Sequence, residues 1–211
     1  MSADVCSCGA VRTSQNLRLF VAADLPPDHL ERLDAAVAPL RRLFDDGRWA
    51  PIENQHVTLK FLGSVPEERL EGVVEAGAGV TIANAPGTLS LGDLGTFPST
   101  KRMRVLWVGL LDPVGMLAGL ASQLDQVLEP LGFEPEKRAF TPHLTLARFK
   151  TPRRLDAPLP TVELPGEPFG LNELVLYRSH LSPRGARYEA LQRWPLGAGG
   201  RTGAGSGEPL I

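Results

Sequence analysis

The apolar positions of this chain switch repeatedly between a period of two and a period near 3.6. Leu17 to Ala23 is a short apolar run, the pattern of a buried strand. From Pro27 onward Leu30, Leu33, Val37, Leu40 and Phe44 recur at helical spacing. Asp28 and Glu31 fall in the first turn of that helix and Arg41 and Arg42 in its last, where the helix dipole favours each sign, and Gly47 closes it. Gln55 to Leu62 reads as a strand ended by Gly63. Ser64-Val65-Pro66-Glu67 then opens a second helix with Pro66 near its first position, weakened by Gly72 and Gly77. Thr88 to Leu94 and Arg104 to Leu110 read as strands around a Gly/Pro/Ser loop, Gly95 to Lys101. A third helix over Pro113 to Leu131 puts Val114, Leu117, Leu120, Leu124, Val127 and Leu131 on one face, with Gly132 just past its end. His143 to Phe149 is a further strand, residues 151–168 are a Pro-rich connection, and Leu171 to His180 and Arg187 to Trp194 pair as a closing hairpin around Ser182-Pro183-Arg184-Gly185.

This mixture of strands and helices is an α+β arrangement, with sheets backed by helices. Residues 1–16 read as a disordered leader, 17–196 as one domain, and 197–211 as a flexible Gly-rich tail. At 211 residues and 43% hydrophobic, the chain can bury a real core. Its 22 basic and 24 acidic residues nearly cancel, so long-range capture of nucleic acid is not indicated. Local basic clusters exist at Lys101, Arg102 and Arg104, and at Arg148, Lys150, Arg153 and Arg154; as such they read first as solvated surface. The two cysteines, Cys6 and Cys8, can form neither a disulfide framework nor a four-ligand zinc site. No stretch approaches the roughly 20 apolar residues of a membrane helix, and no secretory signal is evident, so a cytoplasmic setting without a membrane partner is expected. No extended apolar heptad or surplus hydrophobic face is readable, so a monomer is expected.

Two copies of one motif change the picture. His56-Val57-Thr58-Leu59 and His143-Leu144-Thr145-Leu146 each sit on an expected strand, the second 87 residues after the first. Alternate side chains on a strand share a face, so each copy offers an imidazole and a hydroxyl on one side and sends two apolar residues into the core. Side by side, the two strands line one cleft with two histidines and two threonines. A histidine pair can act as base and acid in one displacement at phosphorus, and threonine hydroxyls can hold the non-bridging oxygens. The separation fits a duplicated lobe better than a short tandem repeat. A metal reading lacks a third ligand: neither motif carries Asp, Glu or Cys at a ligand-like position, Glu53 points off the His face, and His29 and His180 lie elsewhere. Either motif alone would read as a core histidine. A nucleophile elbow, a P-loop and a dinucleotide fingerprint are all absent, so neither ATP nor a nicotinamide cofactor is indicated, and no cofactor is expected.

Arg18-Leu19-Phe20-Val21-Ala22 with Leu25-Pro26, His56 through Gly63, Arg104 through Val108, Pro142 through Arg148, and Leu176-Tyr177-Arg178-Ser179 together resemble the 2H phosphoesterase superfamily, and within it the RNA 2′,3′-cyclic phosphodiesterases once called 2′-5′ RNA ligases. The resemblance spans about Leu17 to Leu196. It implies a bilobal fold, two antiparallel-rich sheets backed by helices with pseudo-twofold symmetry around a central cleft. It also implies metal-independent hydrolysis of a 2′,3′-cyclic phosphate on RNA, or on a small cyclic nucleotide, to a 2′-phosphomonoester, with 2′-5′ joining as the reverse reaction. On this analogy His56 is the general acid, His143 the base, and Thr58 and Thr145 hold the phosphate. Arg148 is implied near the phosphate, although its odd spacing from His143 needs a bulge or a strand end to bring it there. Phe20 and Phe61 suit the core first and are candidates to stack on a base second; Tyr177 and Tyr188 are weaker candidates. The alternative from another class is an RNA-end-binding module that keeps the cleft without turnover.

Overall fold

The computed structural model describes residues 15–183 and 185–197, so most of the expected leader and tail, both cysteines and Arg184 lie outside the described residues, while Asn16, expected in the leader, begins the first strand. Eight strands form one path in the order β7-β4-β5-β6-β3-β1-β8-β9, and a ninth, β2, pairs with β6 off that path. They are β1 (Asn16–Ala23), β2 (Arg48–Trp49), β3 (Val57–Pro66), β4 (Gly87–Phe97), β5 (Met103–Leu111), β6 (His143–Arg153), β7 (Phe169–Leu171), β8 (Glu173–Ser182) and β9 (Gly185–Pro195). Three helices accompany them: α1 (Pro27–Leu43), α2 (Leu70–Ala83) and α3 (Met116–Leu128).

The path consists of two antiparallel halves, β7-β4-β5-β6 and β3-β1-β8-β9, that meet where β3 and β6 pair through Val57 and Leu144 alone. These are the residues that follow the two histidines. An antiparallel pair has a local twofold axis between opposed residues, so the repeat in the motif becomes a repeat in space about this point. The helices cross over between the halves. α1 follows β1 but packs on the other lobe, its His29 ring 5.0 Å from Phe169 of β7, while Phe44 just past its end lies 6.0 Å from Phe149 of β6. α3 follows β5 and packs on β3, where Lys60 pairs with Asp125. Each lobe is therefore covered by a helix belonging to the other, which ties the halves together beyond the single strand contact.

The apolar stripes do the covering. Leu30, Leu33, Val37 and Leu40 of α1 and Leu117, Leu120, Leu124 and Leu128 of α3 are buried against the core face of the sheet. α2 forms despite its glycines, and Gly77 has a packing reason: a Cβ there would come 2.4 Å from the Trp194 ring of β9.

Several boundaries differ from the periodicity. β3 does not stop at Gly63 but takes it through with φ 71° and runs on to Pro66, because only the absent side chain allows the chain to pass that point. Pro66 accordingly precedes a short 3₁₀ turn, Glu67–Arg69, and α2 begins after it. α3 starts three residues later than expected, because the Asp112 carboxylate accepts from the Met116 and Leu117 N–H groups at 2.9 and 2.7 Å and so sets its first turn. Val114 thus lies ahead of the helix and is 82% exposed, and Val127 and Leu131 sit at its rim rather than in the core. β4 extends through Phe97, and β2 and β7 are too short to show a period.

Candidate functional site

A cleft of about 890 Å³ opens where the lobes meet, and both motifs line it. His56 sits just ahead of β3 and His143 begins β6; His56, Thr58, His143 and Thr145 all face the cleft, while Val57, Leu59, Leu144 and Leu146 are buried in the core. The four residues expected to come together do so.

Arg148 joins them through a bulge. Thr145 pairs with Trp107 and Ala147 with Leu106, so Leu146 has no partner on β5 and the alternation slips by one. Leu146 and Ala147 both turn inward, fully buried, and Arg148 returns to the cleft face. The first copy does the same. Ala22 pairs with Thr58 and Val21 with Lys60, leaving Leu59 unpaired. Leu59 and Lys60 both turn inward, and Phe61 emerges on the cleft, 65% exposed. Phe61 and Arg148 are therefore equivalents about the pseudo-twofold axis: one lobe offers an aromatic face where the other offers a guanidinium.

Phe20 has a different place from the one expected for a base-stacking residue. It is 3% exposed, and its ring lies 4.8 Å from the His56 imidazole at an interplanar angle of 27°. It supports the histidine and cannot take a base onto its face without displacing that ring. Tyr177 and Tyr188 complete the box around His56 at 5.8 and 5.1 Å. Burial holds the Tyr177 phenol well above its usual range, and its hydroxyl's donation to Asp24 at 2.7 Å adds to the shift. On the other lobe Phe97 meets His143 edge to face at 4.9 Å, with Trp107 at 5.9 Å. His180, outside the cleft, pairs with Glu189 on the neighbouring strand.

Burial sets the protonation of both imidazoles. His56 is lowered to about 4, first by desolvation among these rings and then by the positive charge of Arg148; the Asn54 carbonyl opposes the shift. His143 is lowered for the same leading reason, opposed by a 2.7 Å bond from its Nδ1 to the Thr141 carbonyl, with Arg148 again acting downward. A carbonyl only accepts, so Nδ1 of His143 carries the proton and Nε2 keeps its lone pair. In each motif the restraining carbonyl belongs to the residue two before the histidine. Both histidines are neutral at pH 7 in the free protein.

The cleft also contains residues that the motif analysis did not place there: Arg48, Trp49, Asn54, Ser179 and Arg187 among them. Arg48 and Trp49 come from β2 and Ser179 and Arg187 from the β8–β9 hairpin, elements whose distance along the chain gives no sign of a shared site, while Asn54 lies two residues before His56. Asn54 donates to the Ala186 carbonyl at 2.9 Å and so ties the segment before His56 to the hairpin tip. Among the described residues no cluster of three His, Cys, Asp or Glu side chains is placed to hold a metal, and no helix is long and apolar enough to cross a membrane.

Known proteins share this arrangement. The family description LigT like Phosphoesterase matches residues 24–107 and 111–188, and each stretch contains one histidine strand. The Geobacillus stearothermophilus RNA 2′,3′-cyclic phosphodiesterase is 36% identical over 167 residues, 77% of this chain, and this chain spans about half (52%) of that relative's length. The protein of the same name from Methanocaldococcus jannaschii is 30% identical over 184 residues, 84% of this chain and 100% of the relative. The crystal structure of Escherichia coli LigT complexed with 3′-AMP superposes with a TM-score of 0.72 at 29% identity, covering 86% of this chain and 99% of that one. The likeness runs through both lobes and both histidine strands together, and on that ground the chain belongs to the LigT-like phosphoesterase family.

Proposed function

We propose that the protein hydrolyses the 2′,3′-cyclic phosphate at the end of an RNA to a 2′-phosphomonoester, using its two histidines as base and acid and no metal. The observation that carries this reading is the Val57–Leu144 contact, which sets two imidazoles, two threonine hydroxyls and one guanidinium around a single cleft. The names of the relatives supply the substrate class.

In the reaction, His143 Nε2 takes a proton from a water whose oxygen bonds to phosphorus. The P–O3′ bond breaks, and His56 delivers a proton to the departing 3′ oxygen. Thr58, Thr145 and Arg148 hold the non-bridging oxygens, whose charge grows as phosphorus becomes pentacoordinate. With an RNA 5′-hydroxyl in place of water, the same residues open the ring to a 2′-5′ phosphodiester as P–O3′ breaks and so join two ends; water at high concentration favours hydrolysis. The family analogy assigns the acid to His56, and the two motifs are otherwise symmetric. His143, neutral in the free protein, is ready as base. His56 has to gain a proton, and the phosphate anion supplies the means by offsetting Arg148 and raising the imidazole. Phe61, exposed at the cleft wall, is the aromatic available to a base.

The pH profile tests this assignment. With EDTA present and an RNA ending in a cyclic phosphate, kcat/KM is bell-shaped and falls toward alkaline pH. Both apparent values lie at or below about 6.5, the ordinary imidazole value, because both free histidines are lowered. The alkaline limb of kcat lies higher, because bound phosphate favours the charged imidazole. A kcat/KM that climbs through pH 8 to a plateau would contradict the acid role.

A further inference from the structure

Arg48 of β2 and Arg148 of β6 are directly opposed in the strand pairing. Like charges in that relation repel, and arginine does not shed its proton. Arg32, Arg41, Arg153 and Arg193 each meet a carboxylate, whereas exposed arginines such as Arg42 and Arg104, and Arg18 in the lining of the same cleft, form no ion pair among the described residues. Arg48 and Arg148 meet none, and Glu53, the one carboxylate lining the cleft, makes no ion pair among the described residues. Two opposed, unanswered guanidinium groups in one cleft call for more negative charge than one cyclic phosphate monoanion carries.

Their positions show how that charge is divided. Arg148 stands beside the histidines, and its charge acts on both. Arg48 reaches away from it to the hairpin tip, where its guanidinium occupies the space a side chain at Gly185 would need: a Cβ there would lie 2.8 Å from it. Arg187, two residues along β9, lines the same cleft, with its charge partly answered by Glu189. The cleft, at about 890 Å³, is far roomier than one phosphate requires.

We propose that Arg48, assisted by Arg187, forms a second phosphate subsite that holds the phosphodiester on the 5′ side of the terminal nucleotide while Arg148 attends the reacting phosphate. This rests on the proposed reaction and narrows its substrate: the site selects an oligonucleotide end over a nucleoside cyclic phosphate. Arginine suits the task because its planar fork matches a phosphate through two hydrogen bonds.

Adenosine 3′,5′-bisphosphate carries both phosphates of such an end, and adenosine 3′-monophosphate only one. Calorimetric titration of the full chain at low salt is expected to show the bisphosphate bound on the order of tenfold to a hundredfold more tightly. Arg48→Ala should lower that ratio by on the order of tenfold, and Arg48→Lys should keep part of it. The ratio of kcat/KM for a dinucleotide ending in cyclic phosphate to that for the mononucleotide should fall by the same factor. Equal binding of the two ligands by the unmodified protein, or an unchanged preference in Arg48→Ala, overturns the subsite. If neither cyclic phosphate is hydrolysed, the proposed reaction fails, yet the bisphosphate titration still decides the subsite, so the two failures are distinguishable.

Discussion

His143→Ala lowers turnover of a 2′,3′-cyclic phosphate end by roughly 10²–10⁴, the range that a positioned general base supplies. The variant removes an Nε2 whose lone pair is secured by a fixed tautomer, through the Nδ1 bond to the Thr141 carbonyl. His56→Ala has an effect of similar size, and the double variant is little worse than either single one, because acid and base act in one displacement. The fold is not what fails. His143 lines the cleft, its edge-to-face partner Phe97 remains, and the adjoining Leu144 keeps the strands joined. Thermal unfolding of the variant should therefore stay within about 1 kcal/mol of the unmodified protein. A binding module would show the reverse, with affinity for the RNA end kept and no rate to lose.

Asp125→Ala has the largest expected effect on stability, about 3–5 kcal/mol, a large share of what holds an ordinary domain together. The cause is the bulge in the first motif, which turns Lys60 inward where the second motif has Ala147. Lys60 is 5% exposed, and its ammonium is held by Asp125 of α3 and by the Glu134 carbonyl. Without Asp125 the charge stays buried with one neutral partner. Replacing both, Lys60→Met with Asp125→Leu, removes the charge with its partner and should return most of the loss. Urea denaturation measures this, as a fall in midpoint with the slope unchanged. A loss below about 1 kcal/mol would mean that water reaches Lys60 and that the register of β3 differs from the one described.

How much of this was legible beforehand depended on whether a period of two held. His56 with Thr58 and His143 with Thr145 fall within unbroken alternation, so their common face follows from spacing alone. Past each Thr the bulge breaks that alternation. Arg148 and Phe61 each lie five residues after their histidine and would face away on a regular strand. The signal was present in one copy, as the apolar pair Leu146-Ala147, and hidden in the other, where Lys60 reads as surface. Gly63 looked like a stop because glycine ends many strands; here it carries the strand through a positive φ. Phe20 was recognisable as apolar, but its place beneath His56 depends on β1 pairing with β3, a relation between segments that local periodicity does not encode. Arg48 was beyond reach for the same reason, since its two-residue strand matters only once it is laid beside β6.

In the proposed reaction two histidines open a cyclic phosphate toward one product without a metal. Phosphorus NMR of an RNA oligonucleotide ending in 2′,3′-cyclic phosphate, incubated with the protein in EDTA, addresses it most directly. A single new resonance from the 2′-phosphomonoester is expected, absent with His143→Ala. A 3′-phosphate product, or a reaction that stops in EDTA and resumes with added metal, would contradict that reaction.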